Sequence, residues 1–263
     1  MIKLYKSSIY IVLFSFFLYL AACSGSSESE QEGQAEDSLA KDSTETIANN
    51  ELTEAEKSEG WILLFDGKST DGWRSYNADT LGGWIVEEGT LKSLGKGGDI
   101  GGDIVYGKEE FGDFELYLDW KISEGGNSGI FYHVQEGKEY KAPYENAPEY
   151  QLIDDEGFPD PLEDWQELGA DYAMYPADST KKIVKKPGEW NSSRIRFEKK
   201  KVTYWLNGEE VVSFEVGSED WNKRKAEGKW KDFPKYGTFE KGLIGLQDHG
   251  SFIWFKNIKI KKL

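Results

Sequence analysis

The 263-residue chain has one cysteine and two histidines. A lone cysteine excludes a disulfide framework and a multi-cysteine zinc site. Basic clusters are lacking as well: 32 Lys and Arg stand against 48 Asp and Glu, for a net charge of −16. That balance argues against nucleic acid as a partner, because neutralising phosphates takes clustered cations. No apolar run reaches the roughly 20 residues of a transmembrane helix. Helical periodicity is scarce and no internal repeat is found. The two histidines and scattered acids offer ligands for calcium or a similar divalent ion, but no spacing is diagnostic. Aromatics are plentiful, with ten Trp, 14 Tyr and 14 Phe. The chain as a whole is therefore not disordered.

The first 22 residues carry Lys3 and Lys6 ahead of an apolar run from Ile9 to Leu20. Small residues and a cysteine follow, the pattern of a secretory signal. Leu20-Ala21-Ala22-Cys23 resembles the bacterial lipobox, which implies lipidation at Cys23 and anchoring to a membrane through acyl chains. Ser24 in place of Asp points, by the same resemblance, to the outer membrane, with a periplasmic or cell-surface orientation. Residues 23–59 hold 11 acids against Lys41 and Lys57 and no aromatic residue. Such a segment cannot bury enough apolar surface to offset chain entropy, which predicts a disordered tether. Residues 60–263, which hold every Trp and both His, form the expected single domain.

Short alternating runs broken by Gly, Asn and Asp predict strands there. Phe114 to Lys121 alternates cleanly, and Ser128–Val134, Glu149–Ile153, Ser193–Phe197, Leu243–Gln247 and Ser251–Ile260 follow. Val202–Leu206 and Glu209–Val216 flank Asn207-Gly208, a type I′ hairpin signal. One short helix is expected within Asp160–Leu168. This spacing defines an all-β sandwich or jelly roll rather than βαβ units. Strand parity then sorts the polar residues. Asn127 and His133 share a face with Phe131, Glu149 with Gln151, and Gln247 with His249, while Asp119 and Lys121 oppose Leu118 and Trp120.

Several catalytic signatures are missing. There is no Gly-x-Ser-x-Gly elbow, although Gly126-Asn127-Ser128-Gly129 comes near it. The glycine-rich stretch Gly95–Asp103 lacks the Lys-Ser pair and following helix of a phosphate loop. No two carboxylates stand at the spacing a retaining glycosidase needs. Nine blocks nevertheless occur in a recognisable order. They open with Leu64-Phe65-Asp66-Gly67-Lys68 and Asp71-Gly72-Trp73, then Gly83 to Gly89 and Gly112 to Leu116. Gly125 to Phe131, Glu149-Tyr150-Gln151, Gly188 to Asn191 and Trp205 to Gly208 come next. Leu246 to Gly250, with Phe255-Lys256-Asn257-Ile258, closes the series. Together they resemble the 3-keto-disaccharide hydrolase domain over residues 60–263. Lys256 departs from the Arg usual there.

That resemblance implies a concanavalin-like jelly roll acting on glycosides whose C3 hydroxyl has been oxidised by an upstream glycoside 3-dehydrogenase. A C3 ketone acidifies the C2 proton, so a base can remove it and the C1 substituent can leave. Such a reaction needs a base, a stabiliser of the enolate oxygen and an acid for the leaving group. Glu149 or His249 is the candidate base, and Lys121 and Asn127 are candidate oxygen donors. Asp119, His133, Gln151 and Gln247 are candidate sugar-binding residues. The competing reading is a non-catalytic carbohydrate-binding module, since jelly rolls serve both purposes.

Overall fold

The computed structural model describes residues 48–97 and 102–263. The signal segment, Cys23 and the tether up to residue 47 lie outside the described residues. Thirteen strands dominate the described residues. They are β1 (Trp61–Leu63), β2 (Trp73–Ser75), β3 (Trp84–Glu87), β4 (Thr90–Ser93), β5 (Ile104–Tyr106), β6 (Phe114–Ile122) and β7 (Asn127–Val134). The rest are β8 (Glu149–Ile153), β9 (Asn191–Glu198), β10 (Lys201–Leu206), β11 (Glu209–Glu215), β12 (Leu243–Leu246) and β13 (Ile253–Lys262). An eight-stranded sheet runs β11-β10-β9-β6-β13-β4-β3, with β1 also on β13; a five-stranded sheet runs β2-β5-β12-β7-β8. All pairings are antiparallel. This is the jelly-roll sandwich that the alternation predicts.

Leu118, Trp120 and Phe255 of the large sheet and Ile130, Tyr132, Leu152 and Leu246 of the small one are all buried in one core. The Tyr132 and Tyr204 hydroxyls, one from each sheet, meet across it at 2.9 Å. The β10–β11 turn behaves as its chemistry dictates: Asn207 and Gly208 have φ of 50° and 92°, the left-handed pair a type I′ turn requires. The helix expected within 160–168 shrinks to one 3-10 turn, Asp164–Gln166. A helix that the strand pattern does not predict, α2 (Glu219–Glu227), follows β11. Ser218 caps it and accepts from the Trp221 N–H. Trp221 is its one buried residue, so it has no apolar period to betray it.

The ordered domain begins before residue 60. A short helix, α1 (Glu54–Ser58), carries a capping box from Thr53 and Glu56. Ahead of it, Asn50 is buried. Its N–H donates to Asn257 Oδ1 at 2.6 Å, and its own Oδ1 accepts from the Asn257 N–H at 2.8 Å. Its side-chain amide donates to the Gly89 carbonyl at 2.8 Å. Composition missed this because the clasp is made by amides rather than apolar area. A chain beginning at residue 60 forfeits three partly buried hydrogen bonds, each worth about 1 kcal/mol. Thermal denaturation is expected to show a loss of about 5–10 °C against the chain that retains residue 48 onward. An unchanged melting temperature would restore residues 48–59 to the tether.

Candidate functional site

The small sheet turns Ile104, Ile130, Tyr150, Leu152 and Leu246 into the core. Its other face gathers the polar residues. Glu149 lies opposite Phe131, Gln151 opposite Gly129 and Asn127 opposite Ile153, while the Gln247 N–H donates to the Gly129 carbonyl at 2.9 Å. One row across β8, β7 and the end of β12 therefore carries Gln151, Gly129 and Gln247. The glycine is what shapes the row. A Cβ at Gly129 would stand 2.1 Å from Glu149 Oε1, so the Glu149 carboxyl lies directly over that bare backbone.

A cavity of about 450 Å³ opens on this face. Asn127, Glu149, Gln151, Gln247 and His249 all line it, with Gln151 Nε2 donating to Asn127 Oδ1 at 3.4 Å. Glu149, Gln151 and Gln247 are buried in its floor, and His249 is half-buried. The walls come from loops: Tyr144 before β8, Phe158, Leu162, Gln166 and Tyr172 after it, and Lys229 and Phe233 after α2. Lys229 is held by its Nζ contact with the Tyr172 hydroxyl at 3.2 Å and sits 4.3 Å from that ring's centroid. Beneath it the Trp230 ring stacks on Tyr236 at 4.2 Å. None of these loop residues was picked out from the sequence. Their signal exists only once remote chain segments are folded together, as Tyr172 and Lys229 are across 57 residues.

Buried acids dominate the electrostatics. Burial pushes the Glu149 carboxyl up to about 8, and the negative charge of Asp103 adds to it; Lys229 and Gln247 pull the other way. Asp103, just before β5, rises to about 7, chiefly through burial. Its Oδ1 accepts the Asp248 N–H at 3.0 Å. Asp248 Oδ2 in turn accepts the Lys96 and Gly97 N–H groups at 3.1 and 3.0 Å. The Gln247–His249 segment is thus tied down on both sides. Deeper, Asp171 is raised to about 8 by burial, against the Tyr204 hydroxyl that donates to it. Among the described residues, Gln247 Oε1 has no hydrogen-bond partner.

Three sequence candidates lie elsewhere. His133 is buried in the core, its Nε2 2.9 Å from the Gly112 carbonyl and its ring centroid 4.4 Å from that of Phe197. The cause is a bulge: Leu243 pairs with Val134 but Gly245 with Phe131, and His133 takes a φ of 57°. One extra residue inverts parity from that point, so Val134 rather than His133 joins the apolar patch around Phe131 on the polar face. Asp119 and Lys121 do face away from the core, but on the large sheet. Asp119 accepts from the Tyr117 hydroxyl at 2.8 Å and from Asn257 Nδ2 at 2.6 Å. Lys121 lies over Trp190 and Trp254. Ser128 is structural too, its buried hydroxyl donating to the Gln247 carbonyl at 2.7 Å. No group of three His, Cys, Asp or Glu among the described residues could hold a metal ion.

A jelly roll with a sugar-sized, amide-and-carboxyl-lined cavity on one sheet defines the class. The particular family is then plain: residues 60–261 match the 3-keto-α-glucoside-1,2-lyase-like domain, and the chain belongs to that family. A 3-keto-disaccharide hydrolase from Bacteroides thetaiotaomicron is 34% identical, over 93% of this chain and 94% of its own. A crystal structure from Parabacteroides distasonis, provisionally described as a glycosyl hydrolase, is 48% identical with a TM-score of 0.77. It covers 82% of this chain and the whole of its own. A second such structure from that organism is 31% identical with a TM-score of 0.58, over 77% of this chain and 99% of its own.

Proposed function

We propose that this carbohydrate hydrolase cleaves 3-keto-glycosides in the small-sheet cavity, with Glu149 as the base. The observation that carries the reading is Glu149 itself: a buried carboxyl, raised to about 8, laid over Gly129 on the cavity floor. A general base serves best when its pKa lies near the working pH. Its carboxylate takes the C2 proton of the keto-sugar. The electron pair moves into the C3 carbonyl, where the Lys229 ammonium and the Asn127 amide, both lining the cavity, supply charge and a hydrogen bond to the enolate oxygen. Lys229 thereby takes the role that sequence alone assigns to Lys121. Collapse of the enolate forms the C1–C2 double bond and expels the C1 oxygen, which leaves with a proton from His249. Water then adds at C1 and the proton returns to C2, giving net hydrolysis. Gln151 and Gln247 hold sugar hydroxyls.

Two further parts of the reading rest on sequence. Cys23 anchors the enzyme to the outer membrane, with the acidic residues behind it as spacer, and the ketone is supplied by an upstream glycoside 3-dehydrogenase. The test is incubation with a 3-keto-glucoside, followed by mass and ultraviolet absorbance. Release of the C1 alcohol, with transient 2-hydroxy-3-keto-glycal, is the expected outcome, and the unoxidised glucoside should persist because its C2 proton is not acidic. Binding of the keto-glycoside without turnover would leave a carbohydrate-binding module instead.

A further inference from the structure

The outer face of the large sheet carries a second cavity of about 450 Å³, on the opposite side of the sandwich core from Glu149. Its walls include Lys121, Trp190, Trp254 and Lys256, closed by Asn49 and Asn50 of the N-terminal segment. Cations and rings alternate along this face. Lys92 Nζ lies 5.3 Å from the Phe252 centroid and 5.1 Å from that of Trp254. Lys121 Nζ lies 4.6 Å from Trp254 and 5.3 Å from Trp190, and Lys256 Nζ lies 4.4 Å from Trp190.

The charges along this ladder are not balanced. Lys92 has a carboxylate partner, Glu87, at 2.8 Å. Lys121 has no ion pair among the described residues, and Lys256 finds only the side-chain oxygen of Asn49 at 3.1 Å. Lys68, at the cavity edge, has none either. Of the acids lining the cavity, Asp66 spends one oxygen on the N–H groups of Lys68 and Ser69 at 2.8 Å each. Glu87 is bonded to Lys92 and the Trp254 indole N–H, and Lys121 acts on it only through space. Asp66, Glu87 and Glu88 keep their charge whatever they accept, so three carboxylates stand against Lys68, Lys92, Lys121 and Lys256, and one positive charge is in excess. Two half-buried ammonium groups held on one indole repel each other, and a carboxylate between them relieves this with charge-assisted hydrogen bonds. The ring edges around them, together with Phe252 at 48% exposure, offer the apolar contact that the C–H face of a sugar ring seeks.

We propose that this face is an accessory binding site for an acidic saccharide, a sugar carrying a carboxylate such as a uronic acid unit. The carboxylate sits between Lys121 and Lys256, and the ring lies against Trp190 and Trp254. The site docks the protein on acidic glycan and takes no part in the chemistry at Glu149, which lies beyond the core.

The test is calorimetric titration of the full chain with an oligogalacturonate, beside a malto-oligosaccharide of equal length and inorganic phosphate. The acidic oligomer is expected to bind at least about tenfold more tightly than either control, with an affinity that falls as salt rises. The double variant Lys121→Gln, Lys256→Gln is expected to lose about tenfold or more in affinity, consistent with the removal of two charged donors. Lys121→Arg with Lys256→Arg keeps binding, which separates loss of charge from loss of fold. Equal affinity for the neutral oligomer, full displacement by phosphate at equal concentration, or undiminished binding by the Gln double variant would each overturn the proposal.

Discussion

Glu149→Gln is expected to lower turnover of a 3-keto-glucoside at least about a hundredfold, the scale on which a positioned base acts. Binding should change far less, because the amide keeps the shape of the carboxyl and the cavity keeps its other contacts. The fold should not suffer. Glu149 is buried and makes no ion pair among the described residues, so a neutral side chain removes a desolvation cost while its amide oxygen still accepts from Gln247. Because burial holds the proton on Glu149 up to about 8, the base form grows as pH rises, and wild-type turnover should climb through that value. Stability moves the other way. A carboxyl whose folded pKa lies above its unfolded one binds more protons folded than unfolded, so its contribution is fully present at low pH. That contribution is lost as pH rises from the ordinary carboxylate range to about 8. Asp103 and Asp171 act in the same sense. Melting temperatures measured from pH 5 to 8 should therefore fall less steeply in Glu149→Gln without becoming flat. Undiminished turnover in this variant would move the base to His249.

Gly129→Ala should cost nearly as much activity while leaving the carboxyl chemically intact. The added methyl would stand 2.1 Å from Glu149 Oε1 and 2.8 Å from its Cδ and Cγ, so the side chain has to leave its place. Gly129 is outside the left-handed region, and its backbone accepts an alanine without strain. The effect is therefore on the position of the carboxyl alone. A displacement of about 1 Å in a reacting group can cost a hundredfold, and single-turnover rates on the keto-glucoside should fall on that order. Full activity in the alanine variant would mean that Glu149 does not work from the position over Gly129.

Much of the architecture follows from local rules. Alternation along β6, β8 and β12 marks their inner and outer faces, and Asn207-Gly208 closes its hairpin through backbone preference alone. The same alternation brings Glu149, Gln151, Gln247 and Asn127 to one side, and pairing of their strands makes them neighbours. Many residues of the nine ordered blocks proved to be structural. Asp66 caps its own turn, the Trp73 indole donates to the Leu64 carbonyl, and Asn257 clasps Asn50. Such blocks identify a fold family without separating its scaffold from its site.

Parity could not say to which sheet a polar face belongs, because that depends on which distant strands pair. Asp119 and Lys121 alternate as cleanly as Glu149 and Gln151, yet they emerge on the far side of the sandwich. His133 alternates too, until one unpaired residue opposite β12 turns it inward. The walls of the cavity, with Lys229 and Tyr172 in contact across 57 residues, leave no local trace at all. Side-chain period and turn geometry are properties of a few consecutive residues and are carried by the chain itself. Sheet membership, a bulge and a cation brought into the cavity of a buried carboxyl are set by contacts between remote segments, and they exist only when the whole core has closed.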